Sequence, residues 1–110
     1  MKYLCLVYLE PGKFTAVPDR ECFDCGDNLR KQGLLLAAEP LFPGQTAKTV
    51  RVRNGRVGIT DGPFAETKEQ LAGFYLIDAA NHDEALKIAA KIPPAREGSI
   101  EVRPVRELAP

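Results

Sequence analysis

Charged side chains gather around one bend: Asp61, Glu66 and Lys68 lie within eight residues, and Arg51 stands on the segment before them. Residues of these types can move a proton and hold an anion. Asp61 or Glu66 is a candidate base, and Lys68 or Arg51 a candidate anchor for an anionic substrate group. The same run also has a purely structural explanation. Asp61 can fold back on its backbone in an Asx-turn, Gly62 permits unusual φ, Pro63 stiffens the bend, and Phe64 then plugs the core. Two carboxylates and two cations on a loop are equally what a solvated surface looks like. Both readings stand. Glu39, at the end of the apolar run Leu34 to Ala38, is a third candidate acid. Pointing inward, it would be pushed toward useful acid–base values by burial; pointing outward before Pro40, it is simply in water.

Other reactive residue types are less productive. Cys22-Phe23-Asp24-Cys25 has CxxC spacing, but a redox pair opens a helix, whereas these cysteines fall a turn inside one and next to an acid. Small buried side chains on a helix stripe are the expected role, with redox or zinc chemistry lacking partner ligands. His82 is the one histidine. It falls in the first turn of a helix, where the dipole disfavours its protonated form, and a lone ligand makes no metal site. No ligand cluster or phosphate-cradling glycine loop supports a metal, haem or flavin, so no cofactor is expected.

The elements that position these groups alternate. Tyr3 to Leu9 reads as a strand ended by Pro11-Gly12. A helix follows from about Asp19 to Gln32, with Cys22, Cys25, Gly26 and Leu29 on one face and Gly33 as a left-handed cap. Leu34 to Glu39 is a second strand. Thr49 to Arg53 and Arg56 to Thr60 flank Asn54-Gly55, the strongest short hairpin signal. Gly73 to Asp78 is a further strand. Asn81 then caps a helix to about Lys91, with Glu84 in capping-box position and Ala85, Ile88, Ala89 and Ile92 as its buried stripe. Ile100 to Val105 is the last strand. With the hairpin set aside the order is βαββαβ, an α+β, ferredoxin-like antiparallel sheet.

At 110 residues the chain is expected to be one domain, residues 1–110, able to bury roughly 65% of its unfolded surface. Its 15 basic and 15 acidic side chains cancel, so no global field selects nucleic acid or an anionic membrane. The basic hairpin residues Lys48, Arg51, Arg53 and Arg56 lack the exposed aromatics of a nucleic-acid surface. No apolar run reaches the roughly 20 residues of a membrane span. Three cysteines without a secretory signal predict reduced thiols and a cytoplasmic location.

The strands themselves predict a partner. Two helices cover one face of a four-stranded sheet, and the other should then be polar. Here both faces are apolar: Tyr3, Cys5, Val7 and Leu9 against Leu4, Leu6 and Tyr8; Leu34 and Leu36 against Leu35 and Ala37; Phe74 and Leu76 against Tyr75 and Ile77. A bare second face is a patch that monomers rarely tolerate. A homodimer with its sheets face to face is the simplest cover, and a third layer made by the hairpin is the alternative.

Thr60-Asp61-Gly62-Pro63-Phe64-Ala65-Glu66-Thr67-Lys68-Glu69-Gln70-Leu71-Ala72-Gly73-Phe74-Tyr75 is similar to the signature run of DGPF-domain proteins. Val50 to Gly55 and Gly98 to Pro104 resemble the same group. By these residues the chain resembles the DGPF branch of the YCII-related superfamily over nearly its whole length. The resemblance implies a dimeric α+β barrel, an architecture shared with YCII-like proteins, muconolactone isomerases and small antibiotic-type monooxygenases. It implies no settled activity, and a regulatory setting, since members often occur beside extracytoplasmic-function sigma factors. In the wider superfamily a histidine in the first helix and a nearby acid are regarded as a catalytic pair; this chain has no histidine there.

Two functions remain open. One is a small-molecule binder, with or without isomerase- or monooxygenase-like acid–base chemistry, using a dimeric barrel cavity. Asp61, Glu66 and Glu39 are its candidate catalytic groups, and Arg51, Phe64, Lys68 and Tyr75 its ligand contacts. The other is a non-catalytic interaction or regulatory module. Convergence of Glu39, Tyr75 and Asp61 on a pocket would favour the first.

Overall fold

The strongly β-forming, two-sided apolar segments assemble at the centre of the molecule. A computed structural model describes residues 1–109. Its strands are β1 (Lys2–Leu9), β2 (Leu35–Pro40), β3 (Lys48–Arg53), β4 (Arg56–Asp61), β5 (Gln70–Asp78) and β6 (Ser99–Pro104), with helices α1 (Asp19–Lys31) and α2 (His82–Ala89). The order β2-β5-β1-β6 makes one four-stranded sheet with every pair antiparallel, and β3-β4 forms a separate two-stranded hairpin. This is the α+β, ferredoxin-like plan that the alternation of elements predicts. No helix among the described residues is long and apolar enough to cross a membrane.

Local chemistry explains the boundaries. The Leu34 N–H reaches the Leu29 carbonyl and the Gly33 N–H that of Arg30, so α1 ends in a Schellman motif with Gly33 at φ 75°. Asn81 Oδ1 accepts from the Glu84 N–H at 2.9 Å and starts α2. That helix is shorter than predicted, because Pro93 and Pro94 draw the following residues into a 3₁₀ turn, Pro93–Arg96. Asn54 and Gly55 take φ of 53° and 74°, the primed turn that matches the twist of β3 and β4.

Both helices pack on one face of the sheet. Tyr3, Cys5, Val7 and Leu9 from β1 are buried there with Leu35, Tyr75 and Ile77, beneath Leu29, Ala85, Ile88, Ala89 and Ile92. On β2 the predicted alternation breaks. A bulge between Leu35 and Ala37 shifts the parity, so that Ala38 stands opposite Tyr75 and Ala37 opposite Leu76. Leu34 and Ala38 then both pack against the core, and Leu36 is exposed.

The opposite face has no helix. Paired residues on antiparallel strands share a face, so Leu4, Leu6 and Tyr8 stand there beside Leu76, Phe74 and Leu71. The hairpin does not cover them. The molecule is 46 by 42 Å but only 19 Å thick, two layers deep. Its radius of gyration is 15.6 Å, against about 13 Å for a compact chain of this length. The excess is the hairpin, projecting away from the body with nearly every residue exposed. A third layer formed by this hairpin within the same chain is therefore corrected: the open face stays open.

Candidate functional site

The open sheet face and the loop at its end form the candidate site. Three cross-sheet rows define the floor. Ala37, Leu76, Leu4 and Arg103 lie in the first, and Glu39, Phe74, Leu6 and Glu101 in the second. Leu71, Tyr8 and Ser99 make the third. The centre is apolar and half-buried, and the margins are charged: Glu39 on β2, and on β6 the Glu101 carboxylate accepting from the Arg103 guanidinium. At the Tyr8 end the floor runs into a shallow groove lined by Tyr8, Thr67, Glu69, Ser99, Ile100 and Glu101. Ser99 Oγ donates to the Glu69 carboxylate at 2.6 Å, tying β6 to the loop.

That loop is the segment between β4 and β5. Lys68 Nζ lies 3.4 Å from the Glu10 carboxylate just beyond β1, and Glu66 is exposed. Lys68 therefore stands beside the groove end of the sheet, and Glu66 is the residue before Thr67, which lines the groove. Asp61 ends β4 opposite Lys48, and its carboxylate accepts from that ammonium at 2.5 Å. The expected Asx-turn is corrected: the bend is held by one main-chain bond and the Thr49 hydroxyl instead. The Gly62 N–H donates to the Ala47 carbonyl at 2.7 Å, and the Thr49 hydroxyl to the Gly62 carbonyl at 2.9 Å. Gly62 does take positive φ, 92°. Phe64, expected to plug the core, is 81% exposed. The bend sits at the hairpin base, outside both layers, and the core is already filled by Leu9, Tyr75 and their neighbours.

Glu39 and Tyr75 do not converge. Glu39 is opposite Phe74 and so projects on the open face, whereas Tyr75 is buried on the helix side. Its hydroxyl donates to the Cys22 carbonyl at 3.3 Å, and burial holds its proton well above the ordinary tyrosine range. Arg51 lies opposite Gly58 and shares the polar face of the hairpin with Thr49, Arg53, Arg56 and Thr60. The structure thus brings Glu39, Glu66 and Lys68 to the open face or its end, keeps Asp61 at the hairpin base, and leaves Tyr75 and Arg51 elsewhere. Tyr8, Glu69, Ser99 and Glu101 are site residues that sequence reasoning did not single out. Alternation places Tyr8 and Glu101 on the second face, but only the strand order makes them neighbours.

Cys22 and Cys25 are free and half-buried. Burial raises both thiols, with the nearby Asp19 and Glu21 adding to the effect on Cys22. This is the opposite of what a nucleophilic thiolate needs. His82 is exposed, its ring 5.5 Å from that of Tyr3. Among the described residues no three of His, Cys, Asp and Glu gather as a metal site.

Comparison with known proteins supplies the lineage. An uncharacterized protein of Rhizobium meliloti (strain 1021) is 54% identical over 67 residues, covering 59% of this chain and 54% of that protein. The match thus spans only about half the length of this curated relative. The family model of the YCII-related domain matches residues 1–109, and by that match the chain belongs to the YCII-related family.

Proposed function

We propose that this protein, a YCII-related domain of the DGPF type, is a homodimer that binds a small, largely apolar molecule. The floor of the pocket is the open sheet face, and a second chain closes it. The observation that carries this reading is the register that leaves Leu4, Leu6, Tyr8, Phe74 and Leu76 on a face without helices, with a carboxylate at its edge. Apolar floors with a few convergent polar groups are what ligand sites look like. Closure by a second chain would also enclose Glu39 beside Phe74 at the edge of the pocket. Glu39 is therefore the acid–base group of this proposal, meeting the polar end of the ligand. Glu66 and Lys68 edge the mouth, whereas Phe64, exposed at the hairpin base, stands apart from it. Asp61 fixes Lys48 and the hairpin base, away from the floor.

A thermal-shift titration with benzoate, cyclohexanone and 2-oxobutyrate tests the reading. Stabilisation is expected to grow with ligand as RT ln(1 + [L]/Kd), to be lost in Tyr8→Ala, to change its pH dependence in Glu39→Gln, and to persist in His82→Ala. Silence across carbonyl and carboxylate compounds from a dimeric sample would leave the non-catalytic interaction module as the function.

A further inference from the structure

The hairpin has an apolar face of its own. Val50 is paired with Ile59 and Val52 with Val57, so all four side chains project to one side; Thr49, Arg51, Arg53, Arg56 and Thr60 project to the other. The four apolar residues are 56–66% exposed, although they belong to the regular part of the hairpin. An isolated two-stranded hairpin is marginal in water and needs packing on a further layer to hold its shape. In this chain β3 and β4 pair only with each other, and the body they spring from has a bare apolar sheet face that they do not reach.

We propose that the β3–β4 hairpin is a reciprocal dimer arm. Its Val50, Val52, Val57 and Ile59 face lies on the open sheet face of a second copy, over Leu4, Leu6, Phe74 and Leu76, and roofs part of that copy's pocket. The occupant is a second copy because each chain carries one unpartnered arm and one unpartnered sheet face, and a twofold arrangement uses both without remainder. The dimensions agree. Strands of six residues at about 3.3 Å each, two strands about 4.8 Å apart, give an arm roughly 20 Å long and 10 Å wide. A four-stranded face is roughly 19 Å wide by the same spacing, so one arm covers about half of it and leaves room for a ligand. Each chain then contributes its arm and the covered half-face, roughly 400 Å² in projection. Side-chain relief adds to this, against the roughly 800 Å² of accessible surface that each partner of a stable complex contributes. Charge also matches. Arg51, Arg53 and Arg56 have no acidic partner among the described residues, and neither does Glu39 a basic one. Long arginine side chains at the margin of a docked arm meet the carboxylate at the edge of the sheet.

Roofing the pocket rests on the dimeric binding reading above, and sedimentation velocity with four proteins separates the two. The whole chain is expected at twice its 12.1 kDa mass. Val52→Glu with Val57→Glu on the arm, or Leu6→Lys on the sheet, is expected to weaken association by at least roughly 100-fold, since each puts unpaired charge into the interface. Thr60→Ala, exposed on the outward face of the arm, keeps the dimer. Mixing the arm variant with the sheet variant restores it, because the heterodimer retains one native arm-on-sheet contact and opposes Glu to Lys in the other. Circular dichroism checks that each variant is folded. A monomeric wild type overturns both proposals. A dimer that persists in the folded arm variant, or a mixture that does not recover, overturns the arm alone.

Discussion

Cys5 offers a measurement of how completely the helix side of the sheet excludes water. It lies mid-strand in β1, opposite Tyr75 and Val102, with no exposed surface. Burial pushes its thiol up from 9.0 to about 11, because a thiolate there would lose its hydration without gaining a partner. Below pH 9 the thiol is protonated folded and unfolded, and stability does not respond to it. Between pH 9 and 11 the unfolded chain sheds the proton while the native chain keeps it, so stability falls as pH rises. Above about 11 both states are ionised and the loss levels off. Two pH units correspond to about 2.7 kcal/mol, or roughly 1–2 M in the urea midpoint for a chain of this size. Urea titrations at pH 7.5, 9 and 11, at fixed protein concentration and under a phosphine reductant, provide the assay. Cys22, Cys25 and Tyr75, also raised by burial, contribute too, so the quantity of interest is the wild-type loss minus that of Cys5→Val. An equal loss in both proteins would refute the reasoning.

Two substitutions probe the supports of the site. A Cβ on Gly98 would sit 2.1 Å from the Tyr8 carbonyl oxygen and 2.8 Å from Leu9 Cδ2. Gly98→Ala must therefore move the main chain at the groove end of the floor, costing about 3 kcal/mol or more in urea unfolding; a loss below about 1 kcal/mol contradicts this close approach. Asn81→Ala removes the α2 cap and is expected to cost about 1 kcal/mol, while Asn81→Asp retains most of it. Equal thermal denaturation of all three chains would show that the cap contributes nothing.

Much of this molecule is written in short-range chemistry. Asn54-Gly55 specifies the hairpin because both residues tolerate positive φ, and Gly33 and Asn81 mark helix ends because they satisfy orphan backbone groups. The two-sided apolar pattern of β1 and β5 puts apolar side chains on each face of the sheet whatever the topology. Side-chain direction at the ends of elements is decided over longer distances. Phe64 reads as core from its type alone, yet the hairpin base lies outside both layers and turns it to solvent. One bulge after Leu35 reverses the parity of β2, sending Glu39 to the open face and leaving Tyr75 on the other. The groove of Tyr8, Ser99 and Glu69 exists only because β1 lies between β5 and β6. Local propensity governs a few consecutive residues, whereas the choice of neighbouring strand is made by packing the whole chain. The elements were therefore legible in the sequence; which of their side chains meet was settled by the tertiary fold.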